Sequence, residues 1–185
     1  MPDDLRTRLV SAGVALVAES GTEALSLREI ARRTGVSHGA PRRYFPTHRE
    51  LLAAVARVGY DDLTTRVARL PVHGDPGVDL LALARLYLDF ARTDRGMFEL
   101  MFRHELLTGN KEGLRAASKP LFGVLMQRLG PERPDAAVAA GAFWANLHGI
   151  AQLWLWDSLP MITGSDDPDA LLRAAVSAHV KPEPC

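Results

Sequence analysis

What is scarce in this sequence narrows it first. Cysteine occurs once, as Cys185 at the C-terminal end, so one chain can build neither a disulfide framework nor a cysteine zinc site. Lysine occurs three times against nineteen arginines. That bias follows coding composition as readily as function, so only the placement of the arginines carries weight. No apolar stretch follows a basic start, because Met1 leads into Pro2-Asp3-Asp4. No secretory signal is expected, and the expected address is the cytoplasm. No run of 18 uncharged apolar residues occurs; Ala136 to Trp156 comes nearest. Asn146, His148 and Gln152 within it, and Pro134, Asp135 and Asp157 around it, argue against a membrane span. A glycine-rich phosphate loop, a nucleophile elbow and a paired metal-ligand motif are all missing. The histidines, at 38, 48, 73, 104, 148 and 179, have no compact metal spacing. The expectation is therefore a protein that is not an enzyme and uses no cofactor or metal. Strand-like alternation and internal repeats are missing too, which leaves an all-α fold.

What is present is unevenly distributed charge. The net formal charge is zero. From Met1 to Leu70, however, eleven arginines face eight acids, and the remainder is acidic by the same margin of three. Between Arg28 and Arg49 lie six arginines (28, 32, 33, 42, 43 and 49) and one acid, Glu29. A local surplus of this kind is what phosphate contact requires, although a solvated helical face also carries one.

The segment Pro71-Val72-His73-Gly74-Asp75-Pro76-Gly77 breaks both helix and strand. It divides a basic N-terminal part, taken as residues 1–46 with a connecting helix at 47–70, from a larger, mildly acidic helical part at 78–185, with 71–77 as the linker. In the first part Leu5, Leu9, Ala12, Leu16 and Val17 recur at helical spacing until Gly21. Ser26-Leu27-Arg28-Glu29 is a capping box opening a short helix that ends at Gly35. Ser37 is placed to cap a brief helix over His38 to Tyr44, and Thr47 to Glu50 forms a second capping box. Two short helices joined by a glycine turn describe a helix-turn-helix, whose second helix enters the major groove. Pro41 removes one backbone hydrogen bond there and is expected to be tolerated.

The stretch Leu9 to Val55 resembles the DNA-binding domain of the tetracycline-repressor family. The resemblance rests on Gly21-Thr22-Glu23-Ala24-Leu25-Ser26-Leu27-Arg28-Glu29-Ile30-Ala31, on Gly35-Val36-Ser37-His38-Gly39-Ala40, on Phe45-Pro46-Thr47 and on Glu50-Leu51-Leu52. It implies that Arg28 touches phosphate, that Ser37, His38 and Gly39 meet bases or backbone, and that Tyr44 contacts phosphate. Two positions depart from the family pattern. Arg42 stands where a tyrosine is common and keeps phosphate-binding capacity, as does Arg43 beside it. His48 stands where a lysine is usual, and a histidine is a weaker cation near neutral pH.

In the C-terminal part Val78 to Arg92 is apolar around most of its circumference, with Arg85, Asp89 and Arg92 forming one polar stripe. Leu114 to Leu129 follows, with Pro120 expected to kink it or mark a turn. Phe90, Met97, Phe102, Phe122, Met126, Phe143, Leu147 and Trp154 are candidates to line a pocket for a small, largely apolar ligand. Methionine and phenylalanine at helical spacing are more often plain core. A helix from Pro134 to Leu159 aligns Val138, Gly141, Ala145, Gly149 and Gln152 on one stripe, whose small residues allow close approach of a second helix. We expect a homodimer through that stripe. Phe143-Trp144-Ala145-Asn146-Leu147-His148-Gly149 also resembles a Trp/His-Gly signature of one branch of the family, which implies a four-helix dimer interface with the last helix, Asp169 to Val180. The function so implied is a ligand-responsive regulator, a repressor of a near-palindromic double-stranded DNA operator. The competing expectation is a helical dimeric adaptor that has lost DNA binding.

Overall fold

The computed structural model describes residues 2–109 and 112–180, and Cys185 lies outside them. Among the described residues all regular structure is helical, and no helix is long and apolar enough to cross a membrane. The chain forms two compact units. One holds residues up to Leu63 together with Asp94–Ser118; the other holds Thr64–Thr93 and the chain from Lys119 onward.

The first unit opens with α1 (Pro2–Ser20), which stops where Gly21 takes a positive φ of 74°. A 3-10 turn over Thr22–Ala24 leads to α2 (Leu27–Thr34). Ser26 caps α2 by accepting the Glu29 amide at 3.2 Å. The Glu29 carboxylate does not complete the anticipated box; it accepts from Arg32 and Arg33 instead. The second box forms in full at the start of α3 (His48–Ala68). There the Glu50 amide donates to Thr47 Oγ1 at 3.2 Å, and the Thr47 amide to Glu50 Oε2 at 2.9 Å. Leu9, Leu25, Ile30, Phe45 and Leu51 are fully buried in this unit. At Gly13 a β-carbon would sit 2.6 Å from Val55 Cγ2, so only glycine lets the backbones approach this closely.

One expectation is corrected here. The helix anticipated over His38 to Tyr44 is a turn followed by a 3-10 helix over Pro41–Arg43. Pro41 has no amide to return to the Ser37 carbonyl, and the chain makes three-residue bonds instead: Ala40 to Ser37, Arg43 to Ala40 and Tyr44 to Pro41. Residues 94–118 cluster with the first unit, beyond the segment at 71–77. The reason is a glycine. Gly96, at the start of α5 (Arg95–Met101), lies so close to α1 that a β-carbon would come 2.8 Å from the Val17 carbonyl oxygen. Met97 and Met101 then crowd Gly59, and the Tyr60 hydroxyl, its pKa pushed up to about 12 by burial, donates to the Met101 carbonyl at 2.9 Å. A short α6 (His104–Gly109) follows.

The second unit contains α4 (Pro76–Thr93), most of α7 (Leu114–Leu129), α8 (Ala136–Leu155), α9 (Ser158–Thr163) and α10 (Asp169–His179). Asp75 Oδ1 caps α4 through the amides of Gly77 and Val78, with Pro76 in the first turn where its missing amide costs nothing. Helices α4, α8 and α10 pack on one another and bury Leu80, Phe90, Phe143, Leu147 and Leu172. Each such side chain contributes about 1.5–3 kcal/mol by leaving water. Helix α7 runs unbroken through Pro120. The single helix anticipated from Pro134 to Leu159 is instead two. It ends at Leu155, turns at Asp157 (φ 55°) and resumes as α9. Pro160 explains the break, because in a continuous helix its ring would collide with the Trp156 carbonyl.

Candidate nucleic-acid interface

The turn between α2 and the following segment is built by the backbone. Gly35 adopts the left-handed conformation (φ 69°), its amide returns to the Arg32 carbonyl, and the Val36 amide returns to Ala31. This pairing satisfies the last carbonyls of α2 and sends the chain off sharply. Arg8 adds a bond from its guanidinium to the Thr34 carbonyl at 3.0 Å. Beyond the turn the segment divides by side. Pro41 and Phe45 are buried and anchor it, while Ser37, His38, Gly39, Arg42 and Arg43 are exposed and Tyr44 is half-buried.

Arg28, His38 and Arg42 come together, with Leu27, around an open depression of about 440 Å³. Two cations from different turns of the chain thus border one hollow. The arginines of this region are not equivalent. Arg32 pairs with Glu29 at 2.6 Å, and Arg33 pairs with Glu19 and Glu29. The Arg32 hydrogen bond, with that of Arg33, lowers the Glu29 pKa from its ordinary 4.5 to about 2. Arg28, Arg42, Arg43 and Arg49 are exposed and have no acidic partner among the described residues. The charge available to a phosphate backbone is carried by these four, a smaller set than the six counted from sequence.

His48, expected as a phosphate anchor, is engaged elsewhere: its Nε2 donates to the Leu25 carbonyl. Only Nδ1 is left to face a phosphate, and it donates only when the ring is protonated. Arg6 is a residue that sequence reasoning missed. Its guanidinium lies over the Phe45 ring, 5.3 Å from the centroid, and pairs with Glu112 at 2.7 Å. The partner stands 106 positions away, so no local pattern announces the contact.

The candidate ligand residues are divided between the units. Met97 and Phe102 belong to the first, where Phe102 packs edge-on against Tyr60 and Phe98. Phe90, Phe143 and Leu147 are buried in the second as core, with Arg66 over Phe90 and His179 edge-on to Phe143. Phe122, Met126 and Trp154 are half-buried. Phe122 lies 5.5 Å from Trp144, which stacks on His148 at 5.3 Å. His148 Nδ1 is 2.8 Å from the Tyr87 hydroxyl, and burial pushes its pKa down, which favours the neutral ring. Along α8, Val138 is 75% exposed, Ala145 is exposed, and Gly141, Gly149 and Gln152 are half-buried. A β-carbon at Gly141 or Gly149 would meet nothing within 4 Å. No group of three or more potential ligands is placed to hold a metal ion among the described residues.

Residues 9–55 match the model described as bacterial regulatory proteins, tetR family, and residues 80–179 match the tetracyclin repressor-like C-terminal domain. The HTH-type transcriptional repressor Rv3405c of Mycobacterium tuberculosis is 34% identical over 183 residues, covering 96% of this chain and 88% of that protein. The HTH-type transcriptional regulator PksA of Bacillus subtilis is 36% identical over 161 residues, covering 79% and 76%. Among solved structures, a protein of unknown function from Rhodococcus sp. RHA1 superposes with a TM-score of 0.78 at 27% identity, covering 95% of this chain and 93% of that one. The multidrug binding protein EbrR, complexed with ethidium, shares the fold at a TM-score of 0.70 and 22% identity, covering 96% and 99%.

Proposed function

Because the chain belongs to the tetR family of helix-turn-helix transcriptional regulators, we propose that it works in the cytoplasm as a homodimeric repressor that a small, largely apolar ligand releases from DNA. The observation that carries the DNA reading is the hollow bordered by Arg28, His38 and Arg42, beside a segment pinned from within by Pro41 and Phe45. Ser37, His38 and Gly39 face base edges or backbone, and Arg28, Arg42, Arg43 and Tyr44 take phosphates. His48 serves the fold through Leu25 and adds at most a secondary phosphate contact. Residues 1–46 read the DNA and residues 47–70 connect.

Dimerisation uses the uncovered face of α8, from Val138 through Gly141, Ala145 and Gly149 to Gln152, together with α10. Two recognition segments about 34–36 Å apart would then meet successive major grooves of a near-palindrome. Ligand binding belongs to the half-buried Phe122, Met126 and Trp154, and its leverage is limited to its differential affinity for the two conformers. That a relative in fold, EbrR, is a multidrug binding protein supports this choice of ligand class.

The test is selection from random duplexes by the purified full chain. A two-fold-related consensus bound by two chains per duplex supports the reading. Failure to enrich any sequence overturns it in favour of a dimeric adaptor.

A further inference from the structure

Away from the recognition segment, the second unit contains a groove of about 470 Å³ between the end of α3, the connector before α4 and the C-terminal half of α7. Its walls are aliphatic: Val67 and Leu70 from the α3 end, Val72 from the connector and Val124 from α7. Arg128 and Asp79 also line it. Asp79 is 4% exposed and the Arg128 side chain 11%. Two buried charges in one groove require a physical account.

Asp79 has one. Its Oδ1 accepts from the His73 amide and from His73 Nδ1, both at 2.9 Å, and its Oδ2 accepts from the Gly74 amide and from Arg128 Nη1 at 3.0 Å. The His73 amide leads the causes that lower its pKa to about 2, so it is a saturated anion that straps the connector to α4. Arg128 has only half an account. Its Nη1 serves Asp79 and the Pro71 carbonyl at 3.1 Å. Nε and Nη2 donate to no acceptor among the described residues, yet neither is sealed from solvent, since the sole buried and unpaired side-chain polar atom there is Thr64 Oγ1. Arg128 lines the groove, and these two donors are the ones it has to spare.

The unused edge has a definite chemistry. Nε–H and Nη2–H are the parallel pair of the guanidinium fork, the edge that a carboxylate grips with both oxygens. Arg128 is held by its other end, so the edge is oriented before anything binds, which lowers the ordering cost of binding. With aliphatic walls beside it, the geometry points to a binding site for a small aliphatic monocarboxylate in the groove between the end of α3, the 71–76 connector and α7, its carboxylate on the free edge of Arg128. The site is separate from Phe122, Met126 and Trp154, none of which lines this groove. One wall is the last turn of α3, the helix that begins directly after the recognition segment, so an occupant bears on the element leading from the DNA-reading residues. Only that consequence rests on the proposed DNA reading; the binding does not.

The test uses octanoate, with octanamide as the neutral control, titrated into the full chain without DNA and followed by calorimetry. Saturable one-to-one binding of octanoate is expected, with octanamide weaker by about tenfold or more, the worth of a charged hydrogen-bond pair. Arg128→Lys keeps the charge but loses the parallel edge, and should weaken octanoate to the level of octanamide. Because that change touches the Asp79 strap, Ala68→Phe supplies a second arm. Ala68 is an exposed wall residue that takes no part in the Asp79–Arg128 contacts, and a ring there takes up groove space. Equal binding of octanoate and octanamide, or octanoate binding unchanged by Ala68→Phe in a folded protein, overturns the site. These readouts stand whether or not the protein binds an operator.

Discussion

Replacing Gly141 and Gly149 together by alanine separates the isolated chain from the dimer. Both sit inside α8, neither has a positive φ, and an added β-carbon at either meets nothing within 4 Å in one chain. For one chain alone the change is favourable, because alanine in a helix interior is worth about 0.8–1.0 kcal/mol over glycine, so about 2 kcal/mol for the pair. If α8 meets its two-fold mate on this stripe, the sign reverses. An isologous contact uses each residue twice, so the double substitution places four methyl groups where two backbones approach. Overpacking of this kind costs about 1–3 kcal/mol, enough to weaken the dimer by about tenfold. The assay is sedimentation equilibrium paired with thermal unfolding over a dilution series. Gly123→Ala is the control, since that α7 glycine also has open space around it and does not lie on the stripe. The reasoning is refuted if the double variant gains stability like the control and dimerises as tightly as the parent.

Other outcomes follow from the same contacts. Gly96→Ala should destabilise by about 1–3 kcal/mol in urea unfolding, because the obstacle is the Val17 backbone carbonyl at 2.8 Å; a neutral result would remove the reason given for placing α5 in the first unit. Asp157→Gly should stabilise by about 0.5–1 kcal/mol, since Asp157 is the one described non-glycine residue with positive φ; a loss would mean its side chain contributes an unrecognised contact. Glu29, lowered by Arg32 and Arg33, contributes stability that is complete above its ordinary 4.5 and is lost as pH falls through about 2. Its carboxyl carbon should titrate by NMR near 2, and a midpoint near 4.5 would dissolve the pairing.

Much of the first unit was legible because its signals are local. Ser26, Gly35 and the Thr47–Glu50 pair each act within five residues, and the structure uses all of them. Pro41 was legible as a lost hydrogen bond, but whether a helix survives such a loss depends on its surroundings, and at Pro41 and Pro160 alike the break won. Interactions distant in sequence left no trace. Arg6 with Glu112, His48 with the Leu25 carbonyl, and the docking of Gly96 on Val17 each join segments whose own patterns do not mention the partner. Helix faces likewise show which residues turn inward, but not that Met97 and Phe102 cluster in a different unit from Phe122.

The central claim is that exposed, unpaired arginines around the recognition segment grip operator phosphates. The direct measurement is the salt dependence of affinity for the selected operator, in the parent and in Arg28→Ala, Arg42→Ala and Arg32→Ala. The account predicts that Arg28→Ala and Arg42→Ala each remove two phosphate contacts from the dimer, one per chain, and so about 1.8 from the slope of log affinity against log salt, at about 0.9 per phosphate. Arg32, held by Glu29, should change it little. A slope that Arg28→Ala and Arg42→Ala leave intact, or that Arg32→Ala reduces as much as they do, would contradict it.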